Sequence, residues 1–235
     1  MTDIREVVKE AYSAAIERKT GCCGSDNVCC GGEDDMTDMT KDNYDSITTA
    51  ATPSDIVDQS FGCGNPIQAA LLKEGERVLD LGSGAGLDLI LAAKAVTQSG
   101  HVYGLDMTPA MMNRARKNID RLALKNITLL RGYIEDLPLH DGSVDVLISN
   151  CVINLSPDKD KVFSEAYRVL TPGGRFCVSD VVLLKPVLAK LKGSPAAWSL
   201  SGTKSKCRNP SGTGVSAFMN RPQKPCQGST SAPRP

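Results

Sequence analysis

From Arg77 onward, apolar residues fall in short runs separated by longer stretches with helical periodicity. The runs at 77–81, 102–106, 127–131, 144–149 and 174–182 predict strands, and the stretches near 86–96, 109–123 and 159–170 predict helices. Strand alternating with helix implies a parallel sheet covered by helices on both faces, an α/β fold. Ligands of such sheets lie at the carboxyl ends of the strands, so the residues just past each run are the candidates for chemistry.

Before Arg77 the pattern is looser. Residues 3–19 read as an amphipathic helix, with Ile4, Val7, Val8, Tyr12, Ala15 and Ile16 on one face. A polar stretch rich in Gly, Cys and Asp follows over 20–52, too irregular for a regular element. Ser54 and Asp55 are helix-starting types ahead of a short segment to Phe61, and Pro66 opens a helix through Gln68 and Leu72. Beyond about residue 200, Ser, Gly, Pro, Lys and Arg dominate without periodicity, the composition of a disordered tail. Three parts are expected: 1–65, an N-terminal helix and cysteine-rich segment; 66–185, the α/β core; and 186–235, a divergent basic tail.

Composition narrows the setting. The 235 residues are 41% hydrophobic, enough for one domain with a sizeable core, and the net charge is zero, so no nucleic acid or other polyanion is implied. The balance is uneven, because no Asp or Glu follows Asp180 while Lys and Arg continue to Arg234. The charged start Met1-Thr-Asp-Ile-Arg-Glu6 is no signal segment, and no apolar run is long enough to span a bilayer. A cytoplasmic monomer without membrane contact is expected, and its nine cysteines are expected as thiols.

Asp80-Leu-Gly82-Ser83-Gly84-Ala-Gly86 follows a strand and opens a helix. Glycines there let the backbone turn sharply and let a ligand approach the helix N-terminus. Asp106 ends the next strand, where a carboxylate can grip ribose hydroxyls. This layout serves both NAD and S-adenosylmethionine. A dinucleotide fingerprint needs glycine where Leu87 stands, and Asp80 would repel a pyrophosphate. S-adenosylmethionine has no phosphate and carries a sulfonium and an ammonium, so the acid suits it.

Further segments resemble the class I methyltransferases. Gly104-Leu-Asp106-Met107 is similar to their second motif, which implies Asp106 on the ribose and Met107 against the adenine. Gly132-Tyr-Ile134-Glu135-Asp-Leu-Pro138 resembles the third, which implies Ile134 and Glu135 at the adenine edge, although many relatives carry Asp in place of Tyr133. Ser149-Asn150 would end the fourth strand beside the methionine portion, and Leu170-Thr-Pro-Gly-Gly174 resembles the turn into the fifth. The resemblance implies a Rossmann-like three-layer fold whose donor site uses Asp80, Gly82, Ser83, Gly84, Gly86, Asp106, Met107, Ile134, Glu135 and Asn150. The plainer alternatives are that Met107 is core and Glu135 a solvated acid.

The cysteines are Cys22, Cys23, Cys29, Cys30, Cys63, Cys151, Cys177, Cys207 and Cys226. Cys177 lies within an apolar strand and reads as a small buried hydrophobe, while Cys207 and Cys226 sit in the tail. Cys22-Cys23 and Cys29-Cys30 are adjacent pairs, which converge on zinc less easily than C-x₂-C spacing does. They are either an exposed thiol loop or ligands for a soft partner. Cys63, in Phe61-Gly-Cys-Gly-Asn-Pro66, and Cys151, directly after Asn150, are better placed for chemistry near a donor.

Ser149-Asn-Cys-Val-Ile-Asn-Leu-Ser-Pro-Asp-Lys159, with Gly62-Cys-Gly64 and Gly104-Leu-Asp-Met-Thr108, resembles the arsenite S-adenosylmethionine methyltransferases. The likeness runs from about residue 4 to 200. It implies that thiolates of Cys63, Cys151 and one N-terminal cysteine, best Cys22 and next Cys23, hold trivalent arsenic from arsenite or its thiol conjugates. It also implies that after methyl transfer the thiols supply electrons and form a disulfide. An external thiol reductant, glutathione or thioredoxin, then restores them. Such arsenic keeps a lone pair and needs no general base, and neither His101 nor His140 falls in a motif. The competing readings are a small-molecule carbon or oxygen methyltransferase with incidental cysteines, and a non-catalytic thiol protein that binds arsenite.

The likeness stops near Trp198. Ser201 stands where the family has a cysteine, and the sequence that follows matches nothing in the family. Loss of acids, periodicity and likeness together point to a frameshift, an alternative reading frame or a truncation. The sheet is then expected to lack its last two strands and to leave an unpaired edge.

Overall fold

The computed structural model describes residues 3–17, 44, 52–62 and 64–180, and the backbone of 216–220. Most of the 20–52 segment, seven of the nine cysteines (Cys151 and Cys177 excepted), Trp198 and Ser201 lie outside the described residues. So does the remainder of the tail.

Six strands form one sheet: β1 Arg77–Leu81, β2 His101–Asp106, β3 Ile127–Arg131, β4 Val144–Asn150, β5 Leu170–Ser179 and β6 Ser216–Asn220, in the order β3-β2-β1-β4-β5-β6. The first five are mutually parallel, and β6 runs antiparallel on β5. The parallel strands match the apolar runs closely because a parallel sheet is buried on both faces, which demands near-continuous apolar sequence. β5 begins at Leu170 rather than 174, since Leu170 pairs with Val144 before a register shift, and Gly173 takes φ +84° in the irregularity. β6 lies in the tail where the pattern showed no strand. Five residues are too few for a period, and backbone pairing to the β5 edge is what the strand supplies.

Among the described residues the α-helices are α1 Ile4–Glu17, α2 Ser54–Val57, α3 Pro66–Ala70, α4 Leu87–Val96, α5 Pro109–Arg121 and α6 Lys159–Val169. Alternate strand positions feed two cores. Val78, Val102, Val146 and Ile148 pack with α4 and Ile119 on one face, while Leu79, Leu81, Leu105, Leu147 and Phe176 pack with Val162, Ala166 and Val169 of α6 on the other. The result is three layers. Asn65 caps α3 through the Gln68 amide at 3.0 Å, and Asp158 caps α6 through the Lys161 amide at 3.0 Å. Arg175 grips the end of α3, donating to the Ala70 and Leu71 carbonyls at 2.7 and 3.0 Å while paired with Glu76. Among the described residues, no helix is long and apolar enough to cross a membrane.

Candidate functional site

The strand order reverses between β1 and β4, and a cleft opens there at the strands' carboxyl ends, enclosing about 960 Å³ including space open to solvent. Its floor is the glycine loop. Gly82 and Ser83 donate to the Leu105 carbonyl at 2.8 and 2.9 Å, drawing the loop onto β2. Gly82 has φ +69°, and a Cβ on it would lie 2.5 Å from Val152 Cγ2, so both conformation and space require glycine. Gly86, at φ +93°, is the N-cap of α4.

Asp106 closes the wall from β2. Its Oδ2 accepts from the Gly84 amide at 2.9 Å and its Oδ1 from the Thr108 amide at 2.7 Å. Burial raises its pKa against these backbone bonds. Met107 lines the cleft half-buried rather than entering the core. Ile134 and Glu135 line it from a turn bridged by Tyr133 and Asp136. Glu135 is buried, not solvated, and accepts from the Ser156 hydroxyl. Gly82, Ser83, Gly84, Gly86, Asp106, Met107, Ile134, Glu135, Asn150 and Cys151 thus share one cleft.

Asp80 does not line it. The carboxyl lies buried, Oδ2 has no hydrogen-bond partner, and its pKa stands well above the usual carboxylate range. Burial is the main cause, and the charges of Asp88 and Asp106 add to it. Its place is electrostatic rather than one of contact. Ser83 Oγ, on the cleft wall, is also buried without a partner. The buried acids Asp80, Asp88, Asp106 and Glu135 and an open hydroxyl fit a cationic, hydroxyl-bearing ligand and not a phosphate.

Several cleft residues escaped the sequence reading. Asp88 is buried, lines the cleft and accepts from the Tyr44 hydroxyl at 2.6 Å. Its signal was available as the single acid in the apolar run Leu87-Asp-Leu-Ile-Leu91. α1 walls the cleft with Arg5, Val8 and Tyr12, where Arg5 stacks over the Tyr133 ring at 4.8 Å and Tyr12 meets Phe61 edge-on at 5.7 Å. No local pattern marks these pairings. His101 begins β2, away from the cleft, and its Nε2 bonds the Thr128 hydroxyl at 2.9 Å.

The thiols divide as well. Cys177 is fully buried in β5, as its setting implied, and burial raises its pKa. Cys151 lies at the cleft with φ +58°, its amide donating to the Ser179 carbonyl at 2.8 Å. It is disulfide-bonded, whereas every cysteine was expected as a thiol. Cys22 and Cys63 lie outside the described residues, but Gly62 lines the cleft and Gly64 bonds Asn150.

A family model described as Methyltransferase domain matches residues 72–219, from the turn before β1 into β6. The chain belongs to this methyltransferase family. Within it, the chain is similar to the arsenite methyltransferase of Halobacterium salinarum, 44% identical over 191 residues, covering 78% of this chain and 49% of that protein. The arsenite methyltransferase of Aquipseudomonas alcaligenes is 50% identical over 128 residues, 52% of this chain and 36% of that protein. Among solved structures, CrArsM, an arsenic(III) S-adenosylmethionine methyltransferase from Chlamydomonas reinhardtii, superposes with a TM-score of 0.60 at 44% identity, covering 66% of this chain and 55% of that one. This methyltransferase chain spans about half or less of the length of those two curated relatives.

Proposed function

We propose that the chain transfers a methyl group from S-adenosylmethionine to thiol-bound trivalent arsenic. One observation carries the choice of acceptor: Gly62 and Cys151 line the same glycine-loop cleft, and Gly64 is bonded to Asn150, the residue before Cys151. The similarity to arsenite methyltransferases supports the same reading.

S-adenosylmethionine, when bound, supplies an electrophilic methyl group on a sulfonium. Gly82, Gly84 and Gly86 keep the loop open to it, Asp106 offers acceptors for hydroxyls, and a bound cation favours ionisation of Asp80 and Asp88, whose pKa values burial raises. Met107, Ile134 and Glu135 bound the far end. Thiolates of Cys63, Cys151 and Cys22 hold the arsenic substrate, whose lone pair forms the new carbon bond. An acceptor whose lone pair forms the new bond has no proton to lose, so the transfer needs no general base. Positioning supplies the rate, by making the transfer effectively intramolecular. The arsenic becomes formally pentavalent, and two cysteine thiolates return two electrons to it as they join in a disulfide. An external thiol reductant of the glutathione or thioredoxin class, in a reducing compartment such as the cytoplasm, reopens the bond.

The test is incubation of the purified chain with labelled S-adenosylmethionine, arsenite and glutathione, with separation of methylated arsenicals. Arsenite-dependent label in arsenic supports the function. Tight arsenite binding without transfer makes the chain a thiol binder, and label elsewhere gives it another acceptor.

A further inference from the structure

Asn150 ends β4, one residue before Cys151, and its amide faces the N-terminal part of the chain. Nδ2 donates to the Gly64 carbonyl at 2.9 Å, to Asp88 Oδ2 at 2.9 Å and to the Tyr44 hydroxyl at 3.1 Å, so one of its two hydrogens is shared. Oδ1 accepts from the Gly64 amide at 3.2 Å. Tyr44 closes the ring by donating to Asp88 Oδ1 at 2.6 Å. Tyr44 and Asp88 are buried, and burial together with Asp88 holds the Tyr44 phenol well above its ordinary pKa, so it keeps its proton.

The turn is also shaped around this side chain. A Cβ on Gly62 would lie 2.2 Å from Asn150 Nδ2, and one on Gly64 would lie 1.7 Å from Ser179 Oγ. Ser179 in turn accepts the Cys151 amide through its carbonyl. Both neighbours of position 63 therefore need to be glycine for the chain to pass this close to the strand end.

We propose that Asn150, held by Asp88 and Tyr44, is the positioning residue of the thiol site, locking the Gly64 backbone beside position 63 onto the strand end that presents Cys151. The proposal rests on the thiol-bound acceptor reading above. Asn150 then serves the geometry of the cysteines more than the grip on the donor. A buried ring of this kind resists loosening, because breaking one member leaves the Asp88 carboxylate short of a donor. Displacement of a reacting group by about 1 Å lowers a rate on the order of a hundredfold.

Two arms test it on the full chain. In the first, which uses no arsenic, reduced protein is oxidised with diamide under native conditions and the partner of Cys151 is mapped by peptide mass spectrometry. The wild type is expected to join Cys151 chiefly to Cys63, and Asn150→Ala to scatter Cys151 among other cysteines. In the second, arsenite affinity is expected to fall about tenfold in Asn150→Ala, the scale of one hydrogen bond to a charged group. Tyr44→Phe removes a single hydroxyl outside the cleft wall and carries both arms should Asn150→Ala fail to fold. Its S-adenosylmethionine affinity is expected to stay within about twofold, which a general loss of structure would not allow. Unchanged pairing and unchanged arsenite affinity in a folded variant overturn the proposal, as does a wild type that joins Cys151 chiefly elsewhere. A wild type with the expected pairing and no arsenite affinity overturns the acceptor reading and leaves the positioning role standing.

Discussion

The Asp106 carboxylate reaches across from β2 to accept the Gly84 amide at 2.9 Å, so the wall of the cleft holds its floor in shape. Asp106→Ala removes this acceptor and the one for Thr108. Loss of two buried bonds to a carboxylate should cost on the order of 1–3 kcal/mol of stability. S-adenosylmethionine affinity should fall at least about tenfold. Calorimetric titration together with urea unfolding measures both, and an unchanged affinity removes Asp106 from the donor site.

The acids beneath the loop make a pH prediction. Asp80, Asp88 and Asp106 are each raised above the ordinary carboxylate pKa of 3.8, with burial the largest cause. Hydrogen bonds from Tyr44 and Asn150 partly offset this at Asp88. A carboxyl whose folded pKa exceeds its unfolded one binds more protons when folded. Its contribution to stability is therefore greatest below the unfolded value and declines as pH rises through the folded one. A cationic ligand favours the ionised forms, so donor binding should release protons and tighten as pH rises above 3.8 through these raised values. Titration in buffers of different ionisation enthalpy reads the proton count, and proton uptake would contradict the assignment.

Gly82→Ala puts a Cβ at φ +69° and 2.5 Å from Val152. The left-handed conformation costs about 1–2 kcal/mol and the overpacking about 1–3 kcal/mol. The double variant with Val152→Gly, which removes the Cβ at 2.8 Å as well as the branched methyls, should recover the second part and not the first. Equal instability of single and double variants would show that Val152 is not the obstacle.

The cysteines should separate cleanly. Cys63→Ser and Cys151→Ser should each abolish arsenic methylation while donor binding persists. Cys177→Ala should retain methylation, because that thiol is fully buried in β5. Its burial also predicts that it reacts with a thiol reagent only after unfolding. Full activity in either serine variant would refute the assigned roles.

Much of the core was legible without coordinates. β1, β3 and α4 lie within a residue of their apolar runs, because a strand buried on both faces and a helix sunk in the core leave little freedom in residue type. β6 was not legible, since its place depends on an open edge at β5 that only the assembled sheet provides.

The cleft shows the same division. Sequence alone determined that a glycine turn follows β1, that an acid ends β2, and that a cysteine follows Asn150, because these are local matters of backbone freedom and residue chemistry. Only the tertiary structure decided that Asp80 is buried away from the cleft lining while Asp88 lines it. It also decided that Asn150 turns to Gly64, 86 residues away in the chain. Those outcomes follow from strand order and desolvation, which bring distant groups into one low-dielectric space and leave no periodicity in the chain to announce them.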